Sequence, residues 1–238
     1  MNSEPHPQTG QPVGLAVANT APAKLPEPVT LKGRFGRVEK LKAEHAAALW
    51  PAVHGFDDIW TYMSGYGPFA DEAAFAAWVK ERSALKDPYS YAIVDAKDQP
   101  VGIAALMRID APMRAIEVGH VLYSPALQRM PLATEAQYLL ARCIFETLGY
   151  RRYEWKCHAL NEASRRAALR LGFTFEGVHR QAMIAKGRNR DTAWFSMLDN
   201  EWPARKANFE RWLARDNFTP DGRQKESLAA MNAGNRRQ

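Results

Sequence analysis

The chain has 238 residues, 46% of them hydrophobic, enough for one sizeable core with tails. No apolar run approaches the roughly 20 residues of a membrane-spanning helix, and residues 1–23 lack Lys and Arg and are broken by Pro5, Pro7, Pro12 and Pro22, unlike a secretory signal. A formal net charge of +6 favours anionic partners, but no stripe interleaves basic and aromatic residues, so nucleic-acid binding is not expected; Cys143 and Cys157 give no disulfide framework and suit a cytoplasmic protein.

Residues 1–31, rich in Pro, Ala, Gln, Thr and Val, read as a disordered or loosely docked arm. Phe35 to Leu41 has the pattern of a strand, and Ala43 to Val53 that of a short helix disturbed at Pro51. Gly55 to Ala70 is an aromatic loop holding Phe56, Trp60, Tyr62, Tyr66 and Phe69 beside Asp57 and Asp58. Asp71 is placed to cap a helix running to Leu85, with Phe75, Trp78 and Val79 on its apolar side. Three closely spaced strands, Tyr89 to Asp95, Val101 to Ile109 and Ala115 to Tyr123, predict an antiparallel meander. A helix over 133–148 stopped by Gly149, a strand over 152–159 and a helix over 163–171 stopped by Gly172 follow. Thr174 to Ile184 and Thr192 to Leu198 are the last strands, around a loop from Lys186 to Arg190; an amphipathic helix spans 203–215, and a polar tail from Thr219 is expected to fray. The order predicts an α/β (α+β) domain over 32–202, followed by a C-terminal helix and flexible basic tail over 203–238. Its sheet is mixed, mostly antiparallel and of about seven strands, with helices on both faces and a parallel right-handed unit at 115–160.

The strand at 115–123 leads through Pro125 to Thr134 into a helix, an arrangement that offers unpaired helix-start N–H groups to a phosphate, with Arg129 adding charge. Three stretches carry a resemblance. They are Ile116-Glu117-Val118-Gly119-His120 with Leu127 to Thr134; Asn161-Glu162-Ala163-Ser164 with Leu171-Gly172-Phe173; and Phe175 to Gln181. In this order and on these elements, residues 33–202 resemble the GNAT acetyltransferase superfamily, specifically its RimJ/RimL-type group related to ribosomal-protein N-terminal acetyltransferases.

The resemblance implies the GNAT fold, acetyl-CoA as cosubstrate and direct attack of a neutral amine on the thioester. Cofactor contacts fall on Val121, Leu122, Tyr123, Gln128, Arg129, Met130, Leu132, Ala133, Thr134 and Asn161, with a main-chain N–H near 121–123 for the oxyanion. Pro131 departs from the pattern: it stands where the family loop carries glycine, and it removes one N–H donor. Many relatives protonate the leaving thiolate with a tyrosine in the helix after the fifth strand; none lies between Asn161 and Leu171, and Ser164 is the candidate instead. Its other reading is a helix-start residue, with Asn161 as the cap.

The base candidates are Glu117, which is either a base or an ammonium contact, and His120. Three positions apart on a strand they face opposite sides unless a bulge intervenes. Glu117 could equally be a buried carboxylate paired with Arg108 or Arg152. A late-strand glutamate of some relatives is replaced by Met183. An α-amine, with a reference pKa near 8 against about 10.4 for lysine, suits a site without a strong base. Trp60, Tyr62 and Tyr66 are candidate acceptor contacts by cation–π interaction, although the same aromatics could simply staple the loop to the sheet. The acceptor expected is a peptide N-terminus, with a small amine such as an amino acid, polyamine or toxin as the alternative. A non-catalytic acyl-CoA-binding module is the alternative of another class. No metal motif, nucleophile elbow or dinucleotide fingerprint is present, and self-association into a homodimer stays open.

Overall fold

The computed structural model describes residues 3–234. Strands β1 (Ser3–Pro5) and β2 (Pro12–Gly14) form an exposed hairpin, and the chain after it is pinned by Ala23 N–H to Ala111 O and Lys24 N–H to Leu148 O, both 2.9 Å. The remaining strands are β3 (Leu31–Lys32), β4 (Gly36–Lys40), β5 (Tyr89–Asp95), β6 (Pro100–Asp110), β7 (Ala115–Tyr123), β8 (Arg152–His158), β9 (Thr174–Ala185) and β10 (Arg188–Leu198). They form one eight-stranded sheet in the order β3-β4-β5-β6-β7-β8-β10-β9. Every neighbouring pair is antiparallel except β7–β8, which is parallel, as expected for strands joined through a helix. This is the GNAT fold.

Helices α1 (His45–Val53) and α2 (Glu72–Ala84) cover one face; α3 (Pro131–Arg142), α4 (Glu162–Arg170), α5 (Trp202–Leu213) and α6 (Leu228–Gly234) cover the other. Because both faces are covered, β5 is buried at six consecutive positions rather than alternately. Tyr91 and Ile93 pack under α3, while Ala92 and Val94 join Phe75 and Trp78 under α2. Asp71 caps α2 through Oδ1, which accepts from Ala74 N–H at 2.8 Å.

The boundaries differ from the sequence reading in three places. Helix α3 begins at Pro131, not 133, because proline is pre-organised for the first helical position, where its missing N–H is not needed by the helix. The segment Cys143–Leu148 continues it as a π-helical turn, ended by Gly149 at φ 80°. The expected loop from Lys186 to Arg190 shrinks to the two residues Lys186 and Gly187, both at positive φ, so β9 and β10 form one long hairpin. The chain beyond Thr219, expected to fray, is docked as far as it is described: Leu228 and Met231 are buried against the α5 side. Residues 235–238 of that tail lie outside the described residues.

Candidate functional site

Strands β7 and β8 pair only from Ala115↔Arg152 to Val118↔Trp155. Beyond that point they separate, and a cleft of about 1380 Å³ opens between them. One limb reaches Tyr62 and Tyr66; the other runs past Val121 and Tyr123 to the starts of α3 and α4. A bulge marks the opening. Ala105 pairs with Gly119 and Ile103 with Leu122, so His120 and Val121 together stand opposite one residue. His120 takes a left-handed φ of 48°. The extra residue resets the strand's alternation, and Glu117 and His120 both line the cleft.

The first turn of α3 and the preceding loop form the wall of the second limb, with Gln128, Arg129, Met130, Ala133 and Thr134 lining it. The N–H groups of Met130 and Ala133 are taken up locally, by Leu127 O at 3.2 Å and Met130 O at 3.0 Å. Those of Arg129 and Leu132 have no backbone partner among the described residues. The Thr134 hydroxyl accepts from Arg170 Nη1 at 2.9 Å, which brings a second guanidinium to this wall. The side chains of Leu132 and Leu122 point away from the cleft into the two cores, so only their main chains can serve a cofactor. Tyr123 is held by its own hydroxyl, which accepts from Gln137 Nε2 at 2.7 Å and donates to Ala133 O at 3.2 Å. An open strand edge, a helix start with free N–H groups and the Arg129 and Arg170 charges could hold a diphosphate-bearing cosubstrate with an amide-bearing arm.

Asn161 is the N-cap of α4: its Oδ1 accepts from Ser164 N–H at 3.0 Å. The Ser164 hydroxyl accepts from the Trp155 indole N–H at 3.0 Å, also hydrogen-bonds the Cys157 thiol, and lines the cleft. Glu117 is buried and engaged by two cations, Arg108 Nη1 at 2.8 Å and Lys156 Nζ at 2.9 Å. Lys156, its side chain 4% exposed, also reaches Glu154 at 2.7 Å and lies over the Trp194 ring. The paired-carboxylate alternative thus holds for Glu117, with Lys156 in place of Arg152. His120 is pushed down to about 4, first by burial and then by the nearby Arg82, Arg108 and Arg190, so it is neutral at pH 7 and a weak base. Burial also pushes the Tyr66 phenol well above its ordinary range.

Of the three aromatics expected at the acceptor, Tyr66 and Tyr62 line the cleft. Tyr66 meets the His120 ring edge-on at 5.4 Å, and the Tyr62 hydroxyl donates to Leu160 O at 3.3 Å. Trp60 does not line it: the ring is 2% exposed and packs against Phe69, Phe75 and Trp78, stapling the loop to the sheet. Sequence reasoning missed Lys156 and Arg190 as lining residues. Lys156 alternates with Trp155 and Cys157 along β8 and so resembles a solvent-facing position, while Arg190 sat in what looked like loop. Among the described residues no group of His, Cys, Asp and Glu side chains could hold a metal ion, and no helix is long and apolar enough to cross a membrane.

Comparison with known proteins bears on this geometry. The acetyltransferase (GNAT) domain family matches residues 37–174. A GCN5-related N-acetyltransferase from Brucella melitensis is 44% identical, with a TM-score of 0.88 over 91% of this chain and 100% of that one. A "probable acetyltransferase (GNAT family)" from Chromobacterium violaceum ATCC 12472 is 43% identical, with a TM-score of 0.76 over 82% of this chain and 98% of that one. "Putative ribosomal N-acetyltransferase YdaF" of Bacillus subtilis (strain 168) is 29% identical over 105 residues, 44% of this chain, and the match spans only 57% of that protein. The cleft between diverging parallel strands and these matches lead to one statement: the chain belongs to the GNAT acetyltransferase family, whose common reaction moves an acetyl group from acetyl-CoA to an amine.

Proposed function

We propose that the chain is a RimJ/RimL-type N-acetyltransferase whose acceptor is the α-amine of a protein or peptide N-terminus. The observation that carries this reading is the state of the candidate bases. Glu117 is tied to Arg108 and Lys156, and His120 is a weak base, so neither suits a lysine side chain, whose ammonium holds its proton to about pH 10.4. An α-amine near 8 is already partly neutral at pH 7 and needs only water or a modest acceptor for its proton. The resemblance to a ribosomal N-acetyltransferase points the same way.

Bound acetyl-CoA would supply the activated acetyl group. The chain's own residues orient and stabilise. Arg129, Arg170 and the α3 start hold the cosubstrate's phosphates, and the β7 edge beyond Val118, which has no strand partner on the β8 side, offers main-chain N–H groups to developing oxyanion charge. Ser164 Oγ, fixed by Trp155, is placed to give a proton to the departing thiolate. Tyr62 and Tyr66 wall the acceptor limb. Free-thiol release from acetyl-CoA, measured against peptides with free N-termini, Nα-blocked lysine peptides and small amines, tests the reading. Fastest turnover on free N-termini is expected; turnover confined to blocked lysine peptides or polyamines would overturn it.

A further inference from the structure

The acceptor limb is more cationic than an enzyme for amines would suggest. Arg108, Lys156 and Arg190 line it, and Arg82 lies 5.4 Å from the Tyr66 ring. Part of this charge is neutralised. Arg108, Glu117, Lys156, Glu154, Arg152 and Glu176 form a chain of alternating ion pairs with as many carboxylates as cations. Arg190 stands outside that chain. It makes no ion pair among the described residues, and its Nε is buried without a hydrogen-bond partner. Three buried nitrogens on side chains that pack on Tyr66 are likewise unpartnered, Arg82 Nε, His120 Nδ1 and Trp78 Nε1. Buried polar nitrogens of this kind are costly to leave unpaired. Their convergence around one side chain at the mouth of a cleft marks a place that a ligand completes.

What would complete it is set by charge. A guanidinium with no ion pair of its own, facing a Glu117 already paired to Arg108 and Lys156 and standing beside a second guanidinium and an imidazole, fits a carboxylate, which accepts several hydrogen bonds at once. A polyamine or a lysine-rich segment would meet repulsion instead. We infer, building on the acetyl-transfer reading above, that the preferred acceptor is an α-amine carrying a carboxylate a few atoms away, as in a peptide with an acidic residue at its first or second position, and that Arg190 is the residue that seats this carboxylate. The same cations help the chemistry, because nearby positive charge favours the neutral form of a bound amine. The cation excess thereby does part of the work that a free base would do.

The position of Arg190 agrees with this role. It lies on β10 opposite Met183, at a register shift where Asp191 is turned outward to accept from Gln181 N–H at 2.7 Å and Asn189 Nδ2 at 3.0 Å. That shift gives Asp191 partners of its own and leaves Arg190 on the cleft side.

The experiment compares kcat/KM for acetyl transfer to Ala-Glu-, Ala-Gln- and Ala-Lys-initiated peptides of otherwise equal sequence, free glutamate and putrescine. It uses the wild type, Arg190→Met and Arg190→Lys, with thermal unfolding and acetyl-CoA calorimetry on each. The wild type is expected to favour the Glu peptide over the Lys peptide by about tenfold or more, the scale of one charge-assisted hydrogen bond. Arg190→Met should erase most of that preference with acetyl-CoA affinity retained, and Arg190→Lys should keep part of it. Free glutamate outpacing the peptides would retain the carboxylate and replace the peptide as its source. Equal rates on Glu and Lys peptides, a putrescine preference, or an unchanged Glu preference in folded Arg190→Met would overturn the inference while leaving acetyl transfer standing. Acetyl-CoA binding with no thiol release on any amine would instead overturn the acetyl-transfer reading, and this inference with it.

Discussion

Replacing Glu117 by Gln separates a structural carboxylate from a catalytic one. The substitution keeps the shape and removes the charge that lies between Arg108 and Lys156. Arg108 is half exposed, so its share of the pair is screened by water and counts for little. Lys156 is the costly partner: its side chain is 4% exposed, and it would keep only Glu154. Full disruption of a buried pair costs about 3–5 kcal/mol. With one of two carboxylates remaining, a loss of about 2 kcal/mol is expected. For a domain of this size that corresponds to a drop of about 4–8 °C in Tm. The assay is thermal unfolding alongside acetyl transfer per folded molecule. An unchanged Tm together with a collapse in rate would refute the reasoning and return Glu117 to the acceptor as a base.

Two further outcomes bear on the cofactor limb. Arg129→Ala should weaken acetyl-CoA binding by about tenfold in calorimetry, the scale of one charge-assisted contact, with Tm nearly unchanged because the side chain is exposed. Ser164→Ala should lower turnover by about 10²-fold with acetyl-CoA affinity held. It should also cost about 1–3 kcal/mol of stability, because the buried Trp155 indole N–H loses its acceptor; a lost Tm with full turnover would make Ser164 purely structural.

The fold was legible because its signals are local. Asp71 before an apolar run, Gly149 and Gly172 after two others, and three closely spaced strands suffice to order the elements, and parallel pairing follows from the intervening helix. The site was legible only where the main chain makes it, at the β7 end and the α3 turn. Side-chain roles depended on facts the sequence does not display. Whether Glu117 and His120 share a face turned on a single inserted residue, visible only in the β6–β7 register. Whether Glu117 is free turned on Lys156, whose polar alternation along β8 resembles a solvent face although the cleft buries it. Trp60 and Tyr66 look equivalent in the aromatic loop, and packing alone sends one into the core and the other to the cleft. Leu228 and Met231 sit in a tail of polar composition, and two apolar residues at helical spacing were too few to announce a docked helix.

The bulge that brings His120 to the cleft also makes it a source of acid lability. Its imidazole is buried against Tyr66 and faces the positive charges of Arg82, Arg108 and Arg190, which the opposing charge of Asp87 offsets only in part. These surroundings disfavour the imidazolium and hold the folded-state value at about 4, against an ordinary 6.5. As pH falls below 6.5, the unfolded chain takes up a proton that the folded chain refuses until about pH 4, so the unfolded state is favoured across that window. The stabilisation is fully present above pH 6.5 and lost as pH falls toward 4, by about 3 kcal/mol in all and about 2 kcal/mol by pH 5. His120→Asn isolates the effect, because asparagine tolerates the left-handed φ of 48° and does not titrate. Denaturant unfolding from pH 7.5 to 5 should show the wild type losing about 2 kcal/mol more than the variant. Other titrating groups, such as the half-exposed His158, are common to both proteins and cancel in the difference. Parallel curves would mean that His120 gains its proton as readily in the folded chain as in water. The cation excess around it would then be compensated, and His120 would return as a base competent near neutral pH.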